Sequence, residues 1–235
     1  MRFFPFCCVL CDAQVTGATS LCQPCLEDLP RIKICCYQCG LPLKNTQEAS
    51  LCGQCQQSLP PIDYLISSLH YAYPVDYLVS QLKFQGDLTY AKIFSQLLLT
   101  TLQTHYREKE RERHPERPEI MIPVPLHKKR SRQRGFNQAF EIAYPIAKAL
   151  NIPISANTIK RIKYTEAQSL LSASERRKNL HNSFVLSKPI SAEHIVLVDD
   201  VVTTGTTVYA LATLLKKSGV KKVGVWAVAR ATISK

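Results

Sequence analysis

A chain of 235 residues has room for one ordinary domain and a smaller module. Its 46% hydrophobic and 20% charged residues exclude wholesale disorder and fibrous architectures. Thirty Lys and Arg against eighteen Asp and Glu leave +12, which calls for an anionic partner such as nucleic acid, a phosphorylated metabolite or an acidic membrane. The charge is unevenly placed. Residues 1–60 hold four basic and four acidic side chains, so the whole excess lies in residues 61–235. No stretch approaches the roughly 18 consecutive apolar residues of a membrane span. The apolar start, Phe3 to Leu10, has one preceding Arg, an internal Pro5 and no small-residue cleavage site, which argues against a signal peptide. The expectation is a soluble, cytoplasmic protein.

All ten cysteines fall between positions 7 and 55, and eight of them form four Cys-x-x-Cys knuckles: Cys8/Cys11, Cys22/Cys25, Cys36/Cys39 and Cys52/Cys55. A two-residue gap lets both thiolates of a tight turn face one tetrahedral ion at about 2.3 Å, and two knuckles complete a four-cysteine zinc site. Gly40 and Gly53 directly follow Cys39 and Cys52, where amides turn toward sulfur. Disulfides, unliganded buried thiols and a redox Cys-x-x-Cys are the competing explanations, each harder to reconcile with four regular knuckles and no secretion signal. The expected module, residues 1–60, therefore holds two structural zinc ions that supply folding energy to a segment too short for its own core. Sequential pairing of the knuckles is expected; a cross-brace stays open, because spacing fixes knuckles better than their partners.

Pro60-Pro61 close this module and the second domain, residues 61–235, begins. Residues 62–73 read as a strand. From Pro74 a helix follows, with Val75, Leu78, Val79 and Leu82 at i, i+3, i+4, i+7. A second helix runs from Leu88 toward Arg113, its sign-alternating tail Arg107–Arg113 reading as a solvated face, until His114–Pro118 break it. Then strands and helices alternate, as in a parallel sheet with helical crossovers: strand 120–124, helix 138–150 kinked at Pro145, a weaker strand 152–159, strand 194–198, helix 206–217 capped by Gly219, strand 220–229. The fold class is α/β.

In open parallel sheets ligands sit beyond the carboxyl ends of strands, which singles out the turn Asp199-Asp200-Val201-Val202-Thr203-Thr204-Gly205-Thr206-Thr207. A helix start offers free amides and the positive end of its dipole, the threonines add hydroxyl donors, and Gly205 permits close approach: this end suits a phosphate. Two carboxylates just before it suit the hydroxyls of a sugar ring or a Mg2+ shared with phosphate. The combined target is a ribose 5-phosphate. Rival nucleotide loops fail: Gly219 and Gly224 have P-loop spacing, but Val225 stands where Lys is required, and no Gly-x-Gly-x-x-Gly occurs.

HIVLVDDVVTTGTT, residues 194–207, resembles the PRPP-binding signature of type I phosphoribosyltransferases. Together with the knuckles, PVPLHKKRSRQRGFNQA (123–139) and QSLLSASERRKNLHNSF (168–184), the chain resembles the ComF family of competence proteins from end to end. The resemblance implies that Asp199 and Asp200 contact ribose hydroxyls and that Thr203, Thr204, Gly205, Thr206 and Thr207 cradle the 5-phosphate. It puts Pro125–Lys128 in the place of the pyrophosphate loop and residues 163–178 in that of a mobile covering loop, with Mg2+ accompanying PRPP. The chain departs from active transferases in having no evident base-binding hood, and prolines where the pyrophosphate loop has a glycine pair.

Between Ile120 and Phe140 there is no acid, while Lys128, Lys129, Arg130, Arg132 and Arg134 add five positive charges. Phe136, Phe140 and Tyr164 lie in or near basic sequence, and aromatic rings beside a cationic groove hold single strands without sequence readout. A second cluster is Lys160, Arg161, Lys163, Arg176, Arg177 and Lys178 against Glu166 and Glu175. These charges belong to PRPP, to nucleic acid or to both. His127, next to the pyrophosphate-loop position, reads as structural. The resemblance implies a PRPP-binding protein that handles incoming single-stranded DNA during natural transformation, with a competence DNA helicase as partner. An active phosphoribosyltransferase of nucleotide metabolism is the alternative. A PRPP-sensing regulator on duplex DNA is a third, weakened by the lack of a helix-turn-helix. No catalytic residue stands out.

Overall fold

In a computed structural model, residues 6–15, 19–43, 51–110, 117–163 and 183–232 are described. The cysteine-rich segment contributes β1 (Phe6–Cys7), β2 (Gln14–Val15), α1 (Gln23–Glu27) and α2 (Gly53–Gln57), each short helix starting directly after a cysteine. The second part contributes β3 (Tyr64–His70), α3 (Val75–Ser80), α4 (Leu88–Glu110), β4 (Ile120–Pro123), α5 (Lys128–Arg134) and α6 (Gln138–Leu150). After these come β5 (Ile159–Arg161), β6 (Phe184–Leu186), β7 (His194–Val202), α7 (Thr206–Lys217) and β8 (Lys222–Arg230).

Four strands form one sheet in the order β3-β8-β7-β4, every neighbouring pair parallel. A parallel sheet must be covered on both faces, and its central strands are accordingly apolar throughout rather than alternating. Alternate residues of β7 feed opposite cores. Val196 and Val198 pack with Leu98, Ile142 and Trp226 under α3, α4 and α6, while Ile195 and Leu197 pack with Val223, Val225 and Leu211 under α7.

Three elements differ from expectation. The helix begun at Val75 is α-helical only to Ser80 and widens into a π-helical turn at Gln81–Gln85, ended by Gly86 at φ 71°. Lys128–Arg134, read only as a basic cluster, is a helix: the His127 ring caps its start by accepting the Lys129 amide (3.2 Å), and Gly135 at φ 80° ends it. The expected strand 152–159 touches the sheet only through one bridge, Ile154 to Met121. Asn151 leaves α6 left-handed and Pro153 lacks a donor, so the chain turns away and pairs later, as β5 with antiparallel β6.

The cysteine-rich segment is not a detached bead. Cys8, Leu21 and Leu29 belong to the core under α4. The segment also lies along β3: Ile32 N donates to Ser68 O (3.1 Å), His70 N to Pro30 O (2.8 Å) and Leu65 N to Tyr37 O (3.2 Å).

Candidate functional site

The knuckles pair in sequence order. Cys8, Cys11, Cys22 and Cys25 form one group and Cys36, Cys39, Cys52 and Cys55 the other, the four sulfurs of each lying within 4.8 Å of one another. A tetrahedral zinc with bonds of about 2.3 Å needs sulfurs roughly 3.8 Å apart. Sγ of Cys11 and Cys22 are 3.5 Å apart, and those of Cys39 and Cys52 3.6 Å. Burial alone would raise the Cys8 thiol, but the amides of Cys22, Leu10 and Cys11 outweigh it and bring it down to about 6. The same balance lowers Cys36. Cys25 is pushed up by its bonds with Cys22 and Cys11, and Cys55 by burial and then by Cys39 and Cys52. Thiolates are stabilised at one end of each group and crowded at the other, a conflict that a dication removes. Both groups fit structural zinc. Cys7 and Cys35 stand outside them.

The signature loop sits where β7 ends. Asp200 is buried at 3% exposure and Asp199 is partly covered, with Asp200 N donating to Asp199 Oδ1 (2.9 Å). Burial, then the charge of Asp200, holds Asp199 well above the usual carboxylate range. Asp199 thus favours its protonated form until a ligand or cation relieves it. Beyond them Gly205 (φ 79°, ψ −3°) caps α7. A Cβ there would meet the Tyr209 ring at 2.4 Å, so the glycine is required by both its conformation and the close ring. Oγ1 of Thr204 and Thr206 are 2.7 Å apart, and both threonines and Thr207 are half-buried at the helix start, with Thr203 exposed.

Two residues that sequence reasoning passed over complete the site. Lys83, on the π-helical turn, places Nζ 2.6 Å from Asp200 Oδ2, its side chain 25% exposed. Arg230, at the end of β8 and 2% exposed, donates from Nη1 to the carbonyls of Val202 (3.1 Å), Thr203 and Ala231 (2.9 Å), and from Nε to that of Cys39 (2.9 Å). One guanidinium therefore ties the Val202–Thr203 backbone to a cysteine of the second four-cysteine group. Tyr209, under Gly205, feels Arg230 and Cys39, Cys55 and Cys52; burial first of all pushes its hydroxyl up to about 12. Only weak signals marked these two: a cation ending a nine-residue apolar strand, and one beside buried Leu82 before a glycine.

The basic helix α5 divides by face. Arg130 and Arg134, one turn apart, are half-buried. Arg134 lies within electrostatic reach of Asp200, and Arg130 of Arg161, which itself senses Asp199. Lys128, Lys129 and Arg132 are exposed. Pro125 is buried at the carboxyl end of β4, next to β7, so Pro125–Lys128 border the acid pair's edge of the sheet. Phe136 is half-buried and packs against the larger core, and Phe140 stacks on Tyr144 at 5.8 Å. Of the second cluster, Lys160 and Lys163 are exposed and Arg161 lies over the Phe184 ring at 5.7 Å. Tyr164, Glu166, Glu175, Arg176, Arg177, Lys178 and the rest of the expected covering loop beyond Lys163 lie outside the described residues.

Among the described residues no helix is long and apolar enough to cross a membrane. The family profile described as Double zinc ribbon domain matches residues 2–56, and that described as Phosphoribosyl transferase domain matches residues 137–235. Competence protein F of Haemophilus influenzae is 35% identical, over 98% of this chain and 100% of its own. DNA utilization protein YhgH of Escherichia coli O157:H7 is 38% identical, over 98% and 99%. Competence protein ComFC of Bacillus subtilis is 27% identical, over 90% and 89%. With two four-cysteine groups preceding a parallel-sheet domain of phosphoribosyltransferase type, the chain belongs to the ComF family of competence proteins.

Proposed function

We propose that this protein binds PRPP with Mg2+ at the β7–α7 turn and handles single-stranded DNA in natural transformation. The observation that carries the first half is the Asp199–Asp200 pair, Asp200 buried and Asp199 partly covered, on the strand that leads into a glycine-capped helix start lined by threonines. In this reading α7 amides and the Thr204, Thr206 and Thr207 hydroxyls hold the 5-phosphate, and the two carboxylates accept from ribose hydroxyls. Asp199 and Asp200 are the carboxylates that would face an accompanying Mg2+, which would neutralise phosphate charge. Lys83 sets a fixed cation 2.6 Å from Asp200 Oδ2, and Asp199, held above the usual carboxylate range, releases a proton when a ligand or cation engages it. Arg134 beside Asp200 and Arg161 beside Asp199, with half-buried Arg130 near both arginines, offer the pyrophosphate its charge partners.

The second half rests on the excess charge of residues 61–235, on the outward Lys128, Lys129 and Arg132, and on the relatives named for competence and DNA utilization. A competence DNA helicase and a cytoplasmic location follow from the same family reading. Phosphorus NMR of PRPP mixed with stoichiometric protein and Mg2+ tests the site. Broadened or shifted phosphate resonances with PRPP intact support a binding role. Release of pyrophosphate on adding a nucleobase would favour a working transferase, and unperturbed resonances would end the PRPP assignment.

A further inference from the structure

The π-helical turn Gln81–Gln85 has two faces with different chemistry. Lys83 points inward onto Asp200 at 2.6 Å, while its neighbour Phe84 stands 78% exposed. A π-turn inside a helix costs hydrogen-bond quality and recurs at functional sites, because it re-aims side chains that a regular helix would place elsewhere. Gly86 closes the turn with its backbone against the Phe136 ring, a Cβ there lying 3.7 Å from that ring, and Phe136 directly follows α5 and its Gly135 cap. Phe84 is thus one residue from the side chain on Asp200 and two from the glycine that meets the Phe136 ring. It is not alone: Tyr77 on α3 and Tyr73 before it are 44% and 79% exposed, leaving three large rings uncovered over twelve residues. A phenyl ring left in water at the rim of an anion site is costly unless something covers it.

The geometry points to the segment Tyr73–Tyr77–Phe84 as a base-stacking strip for single-stranded nucleic acid, its phosphates neutralised by Lys128, Lys129 and Arg132. The inference rests on the proposed DNA reading and moves the stacking role from Phe136, which is engaged with the core, to rings facing solvent. Three successive rings fit a polymer, since a free nucleobase needs one. Tyr77 and Phe84, seven residues apart across the α-to-π junction, are too far apart along the chain to share one base and count as separate stacking positions. The nearby acids do not oppose it strongly: Asp76 Oδ1 accepts the Tyr77 amide (2.7 Å) and Asp87 Oδ1 the Thr89 amide (2.8 Å), so both charges are engaged at helix starts.

The test is fluorescence anisotropy of a labelled oligothymidylate with the full chain across a salt series, for wild type, Phe84→Ala, Tyr77→Ala and Phe84→Trp. Stacking on an aromatic side chain supports an affinity loss of at least about fivefold for each alanine variant, with the log-log salt slope unchanged and affinity restored by Trp. Both changed rings are exposed, and thermal melting checks that the fold is kept. If wild type binds and both alanine variants bind equally well, the strip is refuted and its rings belong to a protein partner, while the DNA reading stands. If wild type itself fails to bind at low salt, the DNA reading falls and the strip with it.

Discussion

Replacing Arg230 with methionine keeps the length of the side chain and deletes its donors. The buried guanidinium is held by the carbonyls of Cys39, Val202, Thr203 and Ala231, and among the described residues no carboxylate pairs with it. Hydrogen bonds to a charged group contribute about 1.5–3 kcal/mol each, but they are not additive and some carbonyls regain water or a neighbour. A loss of about 3–5 kcal/mol follows, comparable to breaking a buried charged network. At this chain length that lowers the melting temperature by roughly 10 °C. Because the same side chain joins the Val202–Thr203 backbone to Cys39, the variant should also bind PRPP more weakly and surrender zinc from the second group sooner to a chelator. Arg230→Lys should rescue little, since a single ammonium cannot reach carbonyls on two sides of its stem. Urea unfolding and chelator competition on folded protein read the two effects separately. A methionine variant within 1 kcal/mol of wild type, with unchanged zinc loss, would refute the coupling.

Purified protein should carry two zinc ions, one for each four-cysteine group, with Cys8→Ser and Cys52→Ser each losing about one and Cys7→Ser and Cys35→Ser none; metal analysis decides. On α5 the two faces should separate: alanine at Lys128, Lys129 and Arg132 should flatten the single-strand salt slope by about 0.7 per lost contact, whereas alanine at Arg130 and Arg134 should chiefly weaken PRPP. Asp199 also predicts a pH effect. Its folded value lies above its unfolded one, so it binds an extra proton when folded, and its contribution to stability falls as pH rises from the ordinary carboxylate range through the folded value. Asp199→Asn should therefore raise the melting temperature at neutral pH and flatten that pH dependence; a variant less stable than wild type at neutral pH would contradict the buried-pair picture.

Much of this was legible because the strongest signals are local. A two-residue cysteine gap is a metal geometry in itself, and a short unbroken apolar run such as Ile195–Val198, rich in β-branched residues and followed by a turn, fits a strand buried on both faces. The acid pair, Gly205 and the threonines are contiguous, so their convergence needed no tertiary information. What stayed hidden depended on distance along the chain. Lys83 lies 117 positions before Asp200, and only a π-turn with no sequence mark aims it there. Arg230 resembled the charged end of a strand until its partners 27 and 191 positions away came together. Residues 152–159 looked like a strand because Ile152, Ile154 and Ile159 alternate loosely, yet left-handed Asn151 and Pro153 turned them from the sheet. The charges of α5 were visible, but not that Arg130 and Arg134 are half-buried, with Arg134 within electrostatic reach of Asp200, while Lys128, Lys129 and Arg132 are exposed.

Titration calorimetry of Mg2+-PRPP into wild type and into the doubly substituted Asp199→Asn, Asp200→Asn protein tests the central assignment most directly. Saturable binding by wild type is expected, with an affinity loss of a few kcal/mol, on the order of a hundredfold, in the variant while its melting temperature is retained or raised. Equal affinity of the two proteins, or no Mg2+-dependent heat in wild type, would contradict the assignment of the acid pair to the sugar of PRPP.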